Sequence, residues 1–330
     1  MFGRALTAAA VIGFSAVAAQ AADKVSFGLN WFPDTEHGGY YQAVVDGTYA
    51  KYGLDVTIVP GGPQANNAIL LVSGKLDFYM GSNMIEAFNA VKENVPIVVV
   101  AAEYQKDPQV LLSHPGVGLD KLEDLKNAPA YIAKTALVSY WAWLRSAYGF
   151  KDENVRPYTF NSGPFIANKT SIQQGYINYE PHEVEVYGHF KPNVFLLADY
   201  GFTTYSTTLV ARTDTVAKTP DLVQRFVDAS AIGWYHFLYG DNSKAIAVIK
   251  SQNAELTDDM IAYGFKSLKE NGIIDSGDTL KLGIGAMTAE RVKDFFDKMV
   301  KAGVFDAGLD YKKAYTLQFV DKGVGVELRK

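Results

Sequence analysis

From Val25 to Ala102 short β-forming runs alternate with helical stretches, with Gly- or Pro-rich loops between most of them. That rhythm constrains the fold more than any other feature, because strands regularly separated by helices build a largely parallel sheet covered on both faces. Val25-Ser26-Phe27-Gly28-Leu29 reads as the first strand and runs into a loop over residues 30–39. A helix is expected over 40–52, stopped by Gly53. Residues 54–59 form the next strand, closed by Pro60-Gly61-Gly62-Pro63. A helix over 64–73, a strand over 77–80 ending in Gly81-Ser82-Asn83, a helix over 84–93 and an apolar strand over 96–102 complete the series.

Near Gln109 the pattern changes. Helices are expected at 122–125 and 136–148, and strands at 130–133, 155–160, 183–187 and 194–198, which together suggest a second, smaller sheet. Residues 206–212 are β-rich again. From Thr219-Pro220-Asp221, with Pro in the first turn, the chain is almost wholly helical, and Leu222, Phe226, Ala229 and Ile232 recur at helical spacing. The β-rich segments at 110–113 and 206–212 would then be paired crossings between two lobes. The division expected is 22–112 with 206–330 as the first lobe, the latter carrying the C-terminal helices, and 113–205 as the second.

The N-terminus speaks to compartment. Met1-Phe2-Gly3-Arg4 carries one positive charge, residues 5–19 carry none, and Ala19-Gln20-Ala21 is a small-x-small site ahead of Asp23-Lys24. This is the plan of a secretory signal peptide over residues 1–21, and its apolar run is shorter than the ~20 residues of a membrane helix. The chain has no cysteine. In an oxidising compartment its fold must rest on a core, not on disulfides, and no lipid-anchoring cysteine follows the signal. An unlipidated protein free in a periplasm is the expectation. Roughly 300 residues remain, enough for two domains. The formal charge of −5 becomes −6 without Arg4, and no Lys/Arg cluster offers a nucleic-acid surface.

The segment Leu29-Asn30-Trp31-Phe32-Pro33-Asp34-Thr35-Glu36-His37-Gly38-Gly39-Tyr40-Tyr41-Gln42-Ala43 resembles the opening of a solute-binding family whose members carry thiamine pyrimidine precursors, riboflavin, alkanesulfonates and nitrate-like solutes. Gly53-Leu54-Asp55-Val56, Pro60-Gly61-Gly62-Pro63, Gly74-Lys75-Leu76-Asp77-Phe78 and Gly175-Tyr176-Ile177-Asn178-Tyr179-Glu180-Pro181 continue the likeness along nearly the whole mature chain. The Trp-x-Pro-x-x-x-His element is most similar to the branch handling thiamine-type pyrimidines. The resemblance implies an α/β type II periplasmic-binding-protein fold: two lobes joined by a double hinge, closing on ligand in the cleft between them. It also implies a monomeric receptor that serves an ABC importer permease with a separate ATPase. The ligand expected is a small planar nitrogen heterocycle, a thiamine-precursor pyrimidine first, with riboflavin or a taurine-, alkanesulfonate- or nitrate-type anion as alternatives.

Loops beyond the carboxyl ends of the strands are where such a fold gathers ligand. Asn30, Trp31 and His37 in the loop over 30–39, Gly62 in the second loop, and Ser82 and Asn83 in the third are therefore candidates. Trp31 is either a stacking wall or a cover for the lobe edge, and Asn30 either reads a pyrimidine edge or forms a turn. His37 matches a histidine that takes part in chemistry in cytosolic yeast relatives. Those enzymes carry a cysteine-rich iron-binding segment that this chain lacks, so His37 is either a ligand hydrogen-bonder or a residue fixing its loop. Glu180 stands where the family places a contact from across the cleft, as either that contact or a hinge-stabilising acid. Tyr176 or Tyr179 would supply a second ring, and Tyr140 and Tyr104 are further candidates.

Catalytic and metal patterns fail. His182 and His189, with Glu183 and Glu185 nearby, match no metal spacing. No Gly-x-Ser-x-Gly elbow, Walker motif or Gly-x-Gly-x-x-Gly occurs. No catalysis, cofactor or metal is expected. The rivals from other classes are a pyrimidine-precursor synthase, opposed by the signal and the absent cysteines, and an exported sensor module.

Overall fold

The computed structural model describes residues 21–62 and 64–330. The signal peptide expected at 1–21 lies almost wholly outside the described residues. No described helix is long and apolar enough to cross a membrane.

Among the described residues ten strands form two five-stranded sheets. In the first, β1 (Asp23–Gly28) lies between β2 (Leu54–Val59) and β3 (Phe78–Asn83), parallel to both. Beyond β3 comes β10 (Ser206–Arg212), antiparallel to β3 and to β4 (Ile97–Tyr104). The second sheet runs β7 (Val155–Pro157), β6 (Ala130–Ile132), β8 (Ile172–Tyr176), β5 (Gln109–Ser113) and β9 (Asn193–Leu196). Its β6 is parallel to β7 and β8, and β5 is antiparallel to β8 and β9. Each sheet thus holds one reversed strand inserted next to its last position. That strand is the first the chain lays down after crossing from the other sheet. The pattern is the two-lobed type II binding-protein topology, with strands and helices alternating from β1 to β4 where the sequence placed them.

Residues 110–113 and 206–212, expected as crossings, are instead parts of interior strands, β5 and β10. The chain passes between sheets at residues 105–108 and 201–205. Both expected segments are apolar and β-branched enough to be buried on both faces, and a crossing has no use for that.

Aromatic packing holds the first lobe together. Phe27 of β1 meets Tyr40 at 4.5 Å and Phe226 at 5.4 Å, and Phe226 stacks on Phe78 of β3 at 4.2 Å. The helix Pro220–Tyr239 supplies Phe226, so it clamps the sheet against the helix Gly38–Val45 that follows the first loop. Buried rings of this size contribute some 0.5–1.5 kcal/mol per pair beyond their burial. The edge of β4 is covered by C-terminal backbone: Ala102 N–H donates to Gly285 and Thr316 N–H to Val99. An apolar edge strand left open would invite pairing with another chain.

Two local expectations change. Residues 183–187, read as a strand from the alternation Glu-Val-Glu-Val-Tyr, lie inside the helix Glu180–Gly188. Pro181 sits in its first turn and His189 ends it in the left-handed conformation (φ 57°), so end signals outweigh period-2 patterning. Conversely, β8 departs from the sequence expectation, because Ile172-Gln173-Gln174-Gly175-Tyr176 buries a glutamine and a glycine with one β-branched residue.

Candidate functional site

A cavity of about 660 Å³ opens between the two sheets, lined from one side by the loops after β1 and β3 and from the other by β8 and the helix starts at Tyr140 and Glu180. Two glycines let its walls form. A Cβ on Gly61 would lie 2.5 Å from the Leu29 carbonyl oxygen, Asn30 C and Trp31 N, so only glycine lets the second loop pack under the first. Gly61 N–H donates to the Trp31 carbonyl at 2.9 Å and locks that contact. Across the cleft a Cβ on Gly175 would meet Glu180 Cβ at 2.7 Å, so glycine there lets Glu180 sit tight against β8.

Of the residues expected at the site, Asn30, Trp31, Ser82, Asn83, Tyr140, Tyr176, Tyr179 and Glu180 line this cavity. His37, Tyr104 and Gly62 do not line it. Tyr104 is fully buried and donates its hydroxyl to the Glu36 carbonyl at 3.1 Å, supporting the loop from beneath. Gly62 lies under the Phe32 ring, at φ 143°.

His37 is wholly buried, one layer behind the wall. Its Nδ1 accepts the Asp34 N–H at 3.1 Å, which leaves the ring proton on Nε2, 3.4 Å from Asn30 Oδ1. Burial lowers its pKa to about 3, so the ring is neutral at any working pH. With Asn30 Oδ1 engaged from behind, the Asn30 amide presents its NH2 donor to the cavity. His37 therefore fixes the loop in this structure.

Ser82 and Asn83 spend their polar groups internally. Ser82 donates N–H and Oγ to Glu86, and Asn83 caps the helix Met84–Lys92 through Ile85 N–H while its Nδ2 holds Asp107 at 3.0 Å. Tyr140 donates its hydroxyl to Gln174 at 2.8 Å. Glu180 accepts the Tyr176 N–H at 2.7 Å and the Tyr158 hydroxyl at 3.2 Å.

The residues that sequence reasoning missed are mostly acids. Asp34, Glu36, Glu86, Asp107, Glu183 and Glu255 join Glu180 around the cavity, and no lysine, arginine or histidine among the described residues lines it. Burial pushes Glu180 up to about 7 and Asp107 up to about 6, against the hydrogen bonds each accepts. Glu36 is held well above the usual carboxylate range, by burial first and then by Asp34 and Glu180. Phe160 was missed as well: its backbone is left-handed (φ 59°), and its ring meets Trp31 from the opposite lobe at 5.0 Å. A non-glycine residue held there is strained, a condition that gathers at functional sites. The signal that would have exposed Glu36 is the Asp34–His37 capping box, whose two ends turn back onto the backbone and leave the residue between them free.

The profile of one protein family, described as NMT1/THI5 like, matches residues 34–241. Among curated proteins, the riboflavin-binding protein RibY of Chloroflexus aurantiacus is 24% identical over 321 residues, covering 91% of this chain and 87% of its own. Among solved structures, the periplasmic aliphatic sulphonate binding protein SsuA of Escherichia coli superposes with a TM-score of 0.64 at 15% identity, covering 93% of this chain and 91% of its own. The alkanesulfonate-binding SsuA of Xanthomonas axonopodis pv. citri, bound to MOPS, gives 0.63 at 13% identity, covering 90% and 99%. At such identities the structural likeness speaks for the fold.

Proposed function

This chain belongs to the NMT1/THI5-like family, and from that premise we propose that it is the substrate-binding receptor of an ABC importer. It holds a small planar nitrogen heterocycle, a thiamine-precursor pyrimidine, between its lobes and catalyses nothing. The observation that carries this reading is the lining: aromatic rings from both lobes, a donor amide at Asn30, and carboxylates without a basic side chain among the described residues. Rings offer stacking faces worth ~1–3 kcal/mol each to a flat base. Acceptors suit the amino group of a pyrimidine. The same lining opposes sulfonates and nitrate, which would meet carboxylates instead of donors.

Asn30, Trp31, Tyr140, Tyr176, Tyr179 and Glu180 are the residues assigned to the ligand, with His37 acting through Asn30. Export by a signal peptide at residues 1–21, work as a monomer in the periplasm, and docking on a permease with its own ATPase belong to the same reading. So does division into a lobe of 22–112 with 206–330 and a lobe of 113–205. Riboflavin is the second reading, favoured by the relative named for it.

The test purifies residues 22–330 and follows Trp fluorescence and melting temperature against aminopyrimidines, thiamine, riboflavin, taurine, alkanesulfonates and nitrate. Ligand at 100 times its Kd adds about 2.7 kcal/mol of stability. A pyrimidine response lost in Trp31→Ala supports the proposal. A response to riboflavin alone moves the ligand to the second reading, and silence across the panel defeats both.

A further inference from the structure

Apart from the exposed Glu255, Glu36 is the acid of the cleft whose carboxylate has no donor among the described residues. It is 5% exposed, lines the cavity, and its carboxylate accepts no hydrogen bond from any described residue. The nearest donor, His37 Nε2, is 3.7 Å away, beyond hydrogen-bond reach, and belongs to a neutral ring engaged with Asn30. Glu180, Asp107, Asp34 and Glu86 all have donors of their own. Its oxygens face the cavity, where solvent or an occupant must supply the partner that the protein does not. The ionisable groups facing Glu36 are Asp34 and His37 from its own loop, Glu180 from the opposite lobe, and the Tyr104 and Tyr176 phenols. None of them brings a positive charge.

We infer that Glu36 sets the charge of the ligand: it pairs with a positively charged nitrogen, ring-protonated or quaternary, of the heterocycle in the cleft. The inference rests on the receptor reading above and adds to it the electrical class of the solute. Aromatic faces beside carboxylates are the ordinary environment for a bound organic cation. Trp31 and Phe160, in contact across the mouth, bring such faces from both lobes. Burial and the neighbouring acids raise Glu36 in the empty site, and a positive nitrogen beside it favours its charged form.

The experiment is calorimetric titration at pH 7 of wild type and Glu36→Gln, the latter first shown to keep the wild-type melting temperature within a few degrees. The ligands are a hydroxymethyl aminopyrimidine, its non-basic 4-oxo isostere, thiamine as a quaternary cation, riboflavin and ethanesulfonate. The wild type is expected to prefer the amino compound over the oxo isostere at least tenfold, and Glu36→Gln to abolish that preference while leaving the oxo compound's Kd unchanged. Silence with both pyrimidines, but thiamine binding that Glu36→Gln weakens at least tenfold, would sink the pyrimidine assignment and keep the inference. Equal affinity for the two isosteres, discrimination that survives in Glu36→Gln, or binding only of riboflavin or ethanesulfonate indifferent to the variant would overturn the inference and leave the receptor standing. No binding by any ligand would overturn both.

Discussion

Replacing Glu180 by Gln should stabilise the empty protein at neutral pH and weaken ligand binding, and the size of the first effect follows from the site. The ordinary pKa of 4.5 becomes about 7 in the fold, mainly through burial. A carboxyl whose folded pKa is raised contributes stability that is fully present below the unfolded value and is lost as pH climbs to the folded one. The loss is about 1.4 kcal/mol for each pH unit in between, so about 3 kcal/mol is gone by pH 7. Gln carries no charge at any pH and escapes that loss. It keeps one acceptor oxygen where the carboxylate has two, so it forfeits either the Tyr176 N–H or the Tyr158 hydroxyl bond, at about 1 kcal/mol. The variant should therefore be less stable than wild type by about 0.5 kcal/mol near pH 4.5, cross it between pH 5 and 6, and exceed it by about 2 kcal/mol at pH 8. Urea unfolding of ligand-free protein from pH 4.5 to 8.5 reads the difference directly. A difference that stays constant across that range would mean Glu180 titrates alike in the folded and unfolded chain, and the argument from burial fails.

Glu103 supplies a control from the core. It is 1% exposed with neither carboxylate oxygen hydrogen-bonded among the described residues, and burial lifts it to about 8, so Glu103→Gln should flatten the loss of stability between pH 5 and 8 without altering ligand Kd. Trp31→Ala should raise Kd by roughly 5- to 100-fold, the worth of one stacking ring, with little change in melting temperature because that ring is only partly buried at the mouth. Gly61→Ala forces a Cβ to within 2.5 Å of backbone on Leu29 and Trp31 and should lower both the melting temperature and the affinity, readable in one thermal-shift titration.

The alternation of strand and helix in the first lobe was legible because its strands are marked by their own ends: Pro60-Gly61-Gly62 after β2 and Gly81-Ser82-Asn83 in β3. The cavity-facing loop was legible for the same reason, and Asn30 and Trp31 follow directly from its position after β1. What escaped notice depends on contacts distant in sequence. Phe160 reaches Trp31 only through a left-handed backbone that no local pattern announces. Glu36, flanked by a capping aspartate and a histidine, looks like an ordinary first-turn acid until the helix start is seen to face a cavity. The strand expected at 183–187 shows the opposite error, in which local alternation was trusted over a proline three residues upstream of a valine buried by the helix.

The placing of the acids also bears on closure. Glu36 belongs to the first lobe and Glu180 to the second, and each is close enough to matter to the other: Glu180 is one of the two charges that raise Glu36. When both are ionised they repel across the cleft and favour separation of the lobes; when either is protonated, or when a cation sits between them, that opposition vanishes. Lowering pH should therefore mimic ligand. Small-angle scattering of the empty protein should show a smaller radius of gyration at pH 5 than at pH 8. Glu36→Gln should be compact at both, and a cationic ligand should compact the wild type at pH 8. A radius of gyration independent of pH in the empty wild type would show that the hinge, not the charge across the cleft, sets the resting state.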